Sequence, residues 1–178
     1  MDDVSDWLVV GMKDSQSVNS DWSWVSGATI DGVRVRSVAN VPTLSGVVTE
    51  VFRSDWGDDN SFVDQVFARS LDAGAVAAWH AHSLTTDRLS CVSGRALIVL
   101  YDGRKSSPTS GAIYQVIIGE HRPATITIPP GVWHGVQAIG DRPSLLLNCV
   151  DNRYSYDAPD HYRLPLDTAE IPFRFTPR

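Results

Sequence analysis

Valine, isoleucine, leucine and threonine gather in short runs along this chain, and glycines and prolines separate the runs. The clearest are 33–38, 46–52, 96–101, 113–118, 124–128 and 145–150. Within 124–128 the pattern alternates, so Ala124, Ile126 and Ile128 share one face of an extended strand. No long stretch repeats with the 3.6-residue period of a helix. Segments 57–65 and 158–162 have room for a helical turn or two. Short β-branched runs between turn residues predict an all-β protein, a sandwich or a barrel.

The first residues follow another pattern. They are rich in Asp and Ser, do not alternate, and carry Trp7, Trp22 and Trp24 among polar neighbours. Residues 1–27 are expected to form an N-terminal arm, either loosely ordered or packed on the barrel or on a second subunit. Residues 28–178 are expected to form one β-domain with a C-terminal tail. A chain of 178 residues fits a single domain.

Charge and cysteine content exclude several classes. The formal net charge is −6, the wrong sign for a surface that binds a phosphate backbone. No apolar run reaches the ~18–20 residues of a membrane span, and Met1-Asp2-Asp3 does not start like a signal peptide. Cys91 and Cys149 make no disulfide framework, so a cytoplasmic protein is expected.

The candidate chemistry lies in the histidines. His80 and His82 stand two apart, on one face of a predicted strand, with Trp79 and Ala81 on the other. A turn over 83–86 returns Asp87 beside them, and His134 follows the turn-forming Pro129-Pro130-Gly131. Two imidazoles, a carboxylate and a third imidazole make a ligand set for Fe, Mn, Zn or Ni: His80, His82, Asp87 and His134. The alternatives are a histidine pair satisfied within the barrel, an Asp87 that pairs with an arginine or sits in a turn, and a His134 that merely packs beside Trp133. His121 and His161 lie in polar contexts and are expected in solvent. Trp79 is expected to pack, and both cysteines to be buried.

These residues resemble the cupin motifs. Gly74, His80, His82, Asp87 and Gly94 keep the spacing of the first motif, with Asp in the Glu position. Pro129, Gly131 and His134 match the second, while Pro123 and Ala138 replace its leading Gly and trailing Asn. Over about 29–175 the chain is more specifically similar to the dTDP-4-dehydrorhamnose 3,5-epimerase family. The shared pieces are residues 46–53, Gln65, the His80 region, Asp102 to Arg104 with Ser107-Pro108-Thr109-Ser110-Gly111, residues 128–135, and the Cys149 to Tyr154 stretch.

The resemblance implies a jelly-roll barrel of two antiparallel sheets and a homodimer. It implies His80 as catalytic base, Gln65 and Arg104 lining a nucleotide-sugar cleft, and His134 in the same cavity. It also exposes departures. Ala77-Ala78-Trp79 stands where the family has an arginine before its histidine, and Asp87 replaces a lysine. Leu147 stands at the position of the general-acid tyrosine, and the C-terminal extension that carries a carboxylate partner for the base in that family is expected to be absent. The His-Ala-His run is closer to that of the sugar 3,4-ketoisomerases.

The leading expectation is an epimerase or ketoisomerase acting on a nucleotide-linked 4-keto-6-deoxy sugar, without a cofactor. His80 would remove a proton next to the carbonyl, and His82, Tyr154 or Tyr156 would return one. Arg88, Arg95 and Arg104 are candidates for the diphosphate, with solvated strand-end charge as the alternative. A second expectation is a metal-dependent oxygenase or lyase, and a third is a sugar-binding protein without activity.

Overall fold

In the computed structural model, residues 5–22, 29–56 and 62–176 are described. Trp24 and residues 57–61 of the segment given a helical turn lie outside them. Among the described residues every regular element is a strand. They are β1 Arg34–Ser37, β2 Asn40–Thr43, β3 Gly46–Thr49, β4 Gln65–Leu71, β5 Val76–Ala81 and β6 Asp87–Ser93. There follow β7 Arg95–Asp102, β8 Ile113–Gly119, β9 Ala124–Ile128, β10 Val132–Ala138, β11 Ser144–Val150 and β12 Tyr162–Arg163. Segment 158–162 is not helical; it runs irregularly into β12. The sequence reading passed over β4, whose polar and charged residues break its apolar run.

Two five-stranded antiparallel sheets face each other, ordered β1-β9-β6-β11-β4 and β12-β5-β10-β7-β8, and β2 and β3 form a separate hairpin. The expected jelly-roll barrel is what the chain forms. Between the sheets lie Leu89, Ile98, Leu100, Val116, Ile118, Ile126, Ile128 and Leu146, the inward residues of alternating strands. A second cluster covers the outside of the β5-containing sheet: Trp79 and Val99 pack under Ile171 and Phe175. Trp79 meets Phe175 at 5.2 Å between ring centroids, so it is a packing residue.

The core begins at Ile30 and Val33, both buried. Before it, Trp7, Leu8, Met12 and Trp22 are exposed. Cys91 and Cys149 are free and buried. No helix among the described residues is long and apolar enough to cross a membrane.

Candidate active site

One end of the barrel interior is a cavity rather than packed core. His80, His82, Asp87, His134, Asn148 and His161 line it, with Gln65, Phe67 and Arg69 along β4 and Tyr154 at its rim. Four local features bring these groups together.

The first is the turn before β10. The Val132 N–H donates to the Pro129 carbonyl at 3.4 Å, with Pro130 and Gly131 between, and Gly131 has φ of +79°. Proline then glycine at the two central positions is the signature of a type II turn, which requires positive φ at the second. The Gly131 N–H also donates to the His82 carbonyl at 2.8 Å, tying the turn to the end of β5.

The second is the β5–β10 pairing. His134 and His80 are direct partners, and the register shifts by one residue between His134 and Val136. The bulge breaks strict alternation along β5, so that Ala77 and His80 both line the cavity while Trp79 is buried in the outer cluster. Gly135 has no room for a side chain: a Cβ there would stand 2.5 Å from the Ala78 Cβ and 2.8 Å from Phe175 Cζ.

The third is β6. Asp87 returns after a turn, as expected, but on the opposite sheet, so its carboxylate meets His82 and His134 across the barrel. Asp87 Oδ2 lies 3.4 Å from His82 Nε2 and 3.3 Å from His134 Nε2. The Asn148 side-chain amide donates to Asp87 Oδ1 at 2.6 Å and accepts from the Arg88 N–H at 3.0 Å.

The fourth is Asp160. Its carboxylate accepts from the N–H groups of Ser83, Leu84 and Thr85 and from the Ser83 and Thr85 hydroxyls, at 2.6 to 3.0 Å. These donors hold its carboxyl well below the ordinary carboxylate range, against an opposing push from burial. The latch brings the Asp160 carbonyl onto His82 Nδ1 and carries His161 into the cavity. His161 is therefore not in solvent as expected: its ring centroid is 5.5 Å from that of His80 and 5.0 Å from that of His82. Its Nε2 is buried without a hydrogen-bond partner. His121 is exposed, as expected.

Burial pushes His80 far below the ordinary imidazole value, and the neighbouring His134, His161, His82 and Arg69 act in the same direction. Burial lowers His134 and His161 as well; Asp87 opposes the shift in both. Burial thus favours the uncharged imidazole at His80, the form a base requires.

Several expected residues do not reach the cavity. Arg88 follows Asp87 on β6 and so points out of the barrel. Its guanidinium lies over the Phe52 ring and donates to the Phe62 carbonyl. Arg104 is bound to the fully buried Asp102, with Nε donating at 2.8 Å and Nη2 at 3.0 Å, and the Ser107 and Thr109 hydroxyls share that carboxylate. The Asp-x-Arg and Ser-Pro-Thr pieces are thus one half-buried polar knot around the buried Asp102 carboxylate, whose charge demands partners. Arg95 is exposed, and Tyr156 is exposed at 87% beside Tyr154. Leu147 is on the outer face of β11, where Leu146, Asn148 and Val150 face the cavity.

The expected four-residue metal set also changes. His82, Asp87 and His134 bring ligand atoms within 4.8 Å of one another, and His80 is not part of that group. Arg69 and Asn148 were legible in principle, since β4 and β11 alternate. Asp160 and His161 lie in irregular chain, where no periodicity points to them.

A two-sheet jelly roll with histidines converging in its interior is the architecture of a cupin enzyme. Residues 28–175 match the family model of dTDP-4-dehydrorhamnose 3,5-epimerase, and the chain belongs to that family. It is 40% identical to the probable low-salt glycan biosynthesis epimerase Agl13 of Haloferax volcanii, over 78% of this chain and 89% of that one. The spore coat polysaccharide biosynthesis protein SpsL of Bacillus subtilis is 32% identical, over 82% of this chain and 96% of SpsL. Among solved structures, the dTDP sugar isomerase of Desulfovibrio desulfuricans G20 superposes with a TM-score of 0.77 at 33% identity, covering 82% of this chain and 92% of that one. The enzyme class is accordingly a sugar-nucleotide epimerase, an isomerase; the oxygenase or lyase reading is not favoured.

Proposed function

We propose that this enzyme epimerises or keto-isomerises a dTDP-linked 4-keto-6-deoxy sugar, with His80 taking the proton from the carbon beside the carbonyl. The single observation that carries this is the placement of His80, an imidazole lining the cavity beside three other imidazoles, where burial favours its uncharged form. The C–H electrons pass into the carbonyl to give an enolate, and the proton goes to His80. Return of a proton to the same carbon from the other face gives the epimer; protonation of the former carbonyl carbon and its oxygen, with loss of the neighbouring hydroxyl proton, gives the keto-isomer, and both changes are redox-neutral without a cofactor. His82 and Tyr154 are the candidates for returning it.

Gln65 and His134 line the substrate space in this reading. Arg69, exposed on β4 and facing the cavity, takes the diphosphate role that Arg88 and Arg104 do not fill. The division into an arm, 1–27, and a barrel, 28–178, belongs to the same reading. So does a homodimer: Val41, Leu44, Val47 and Val48 on the β2–β3 hairpin and Val66 on edge strand β4 are exposed apolar groups that a second copy would cover. Light scattering showing a monomer at micromolar concentration overturns that part. Two free buried cysteines fit a cytoplasmic setting.

Deuterium uptake into dTDP-4-keto-6-deoxyglucose in heavy water tests the chemistry. The wild-type protein is expected to exchange the proton next to the carbonyl, and His80→Gln to lose about 10²–10⁴ of the rate while still folding. No exchange with the wild type, or full exchange in the variant, rejects the proposal.

A further inference from the structure

We propose that His161 is a catalytic residue, whose Nε2–H holds the sugar's carbonyl oxygen while His80 takes the proton from the adjacent carbon. The inference deepens the sugar reading and rests on it. Three observations carry it.

The first is an orphaned atom. His161 lines the cavity, and its Nε2 is shut away from solvent with no hydrogen-bond partner. His82 and His134 are engaged within the chain at both ring nitrogens. The Asp160 and Val132 carbonyls meet their Nδ1 atoms, and Asp87 Oδ2 lies 3.4 and 3.3 Å from their Nε2 atoms. A buried nitrogen left unpaired costs stability, so at a cavity wall its partner is an atom of the ligand.

The second is spacing. The ring centroids of His161 and His80 are 5.5 Å apart. In a ketone, the carbonyl oxygen and the adjacent carbon are about 2.4 Å apart. A base about 3–3.5 Å from that carbon and a donor about 2.9 Å from the oxygen stand about 4–6 Å from each other. Two imidazoles at this ring separation meet that span.

The third is support from both sides. Asp160, latched to residues 83–85, fixes the chain just before His161. Just after it β12 begins, with Tyr162 paired to Ala81 and Arg163 paired to His80 itself. The strand that carries the base thus also anchors the donor, and the two are held at one relative position.

The chemistry suits an uncharged ring. Burial lowers His161, with Arg163, His82 and His134 acting in the same direction and Asp87 against it. A neutral imidazole keeps one N–H to donate. As the C–H electrons move into the carbonyl, charge grows on the oxygen and this hydrogen bond strengthens. The abstracted proton goes to His80, and the Nε2 proton stays on His161.

Steady-state kinetics and deuterium uptake with dTDP-4-keto-6-deoxyglucose compare the full-length wild type with His161→Leu and His161→Gln. His161→Leu is expected to lower kcat about 10²–10³-fold. KM and dTDP affinity should stay within about threefold, because the bond strengthens only as the enolate forms. Tm should not fall, since an unpaired polar atom is removed. His161→Gln sets an amide N–H near the Nε2 position and should recover at least about tenfold of the rate lost in His161→Leu. If His161→Leu does not fold, His161→Met replaces it.

Full exchange in the folded apolar variant overturns the inference and leaves the sugar reading standing. A raised KM with unchanged kcat overturns it as well, as does a rate loss that follows a fallen Tm and that His161→Gln does not relieve. Absence of exchange in the wild type overturns both readings together.

Discussion

His80 and His134 face each other as direct partners across the β5–β10 ladder, their ring centroids 4.2 Å apart. Only His134 joins the group that converges on Asp87. Of the four residues for which the sequence offers proton transfer and ion binding as rival roles, His80 thus stands apart from the three that meet at the carboxylate. That separation makes each role testable without the other.

Arg69 and Arg104 should behave oppositely. Arg69→Gln removes an exposed cation from the cavity wall, so KM for the sugar nucleotide should rise about tenfold with little change in Tm. Arg104→Gln removes the guanidinium from the buried Asp102 carboxylate, which keeps the Ser107 and Thr109 hydroxyls, and should cost about 1–3 kcal/mol of stability. Steady-state kinetics and urea unfolding of both variants check the contrast, and a reversed pattern would show the cleft is elsewhere.

Asp160 accepts five hydrogen bonds and presents His161 to the cavity. Asp160→Ala strands several loop donors and should lower stability by about 2–3 kcal/mol. The same change should slow deuterium exchange, because His161 and the His82 tautomer lose their support. A variant with normal exchange would show that the latch matters for folding alone.

Stability should decline with acid in two stages. The imidazoles of His80, His134 and His161 are pushed below their ordinary 6.5 in the folded chain, so below that pH the unfolded chain takes up protons first. Their effect is absent above 6.5 and destabilising beneath it. Asp102 and Asp160 are held below 3.8, so the stability they contribute is complete above that value and is lost as pH falls further. Thermal melts across pH should show both limbs, with His80→Gln flattening the first and leaving the second. A Tm that does not change between about pH 7 and 5 contradicts the assignment.

Gly135→Ala should destabilise by about 1–3 kcal/mol although it adds one methyl group. The new Cβ would overlap Ala78 and Phe175, which lie on two different layers. Calorimetry of this variant beside Phe175→Leu checks the cause, since a smaller residue at 175 should recover part of the loss.

The alternation in 124–128 and the β-branched runs between glycines and prolines were enough to predict strands and two packed layers, because side-chain direction in a strand depends only on local period. The same reasoning placed His80, His82 and the post-turn His134 as inward groups. It missed β4, where Gln65, Phe67 and Arg69 alternate inward beneath a polar composition, and so assigned the diphosphate to arginines that point elsewhere. Arg104 shows the limit well: read as a substrate-binding arginine, it is tied to the buried Asp102 carboxylate, a contact only the tertiary structure reveals.

By itself the sequence determined the β-architecture, the histidine pair on one strand face and the family, since each follows from local period or from motif spacing. Tertiary structure decided that Asp87 meets the histidines from the opposite sheet, that its carboxylate contacts His82 and His134 rather than His80, and that Asp160 draws His161 out of solvent. Those outcomes depend on sheet pairing and on a loop without periodicity, and neither is encoded within any short window of the chain.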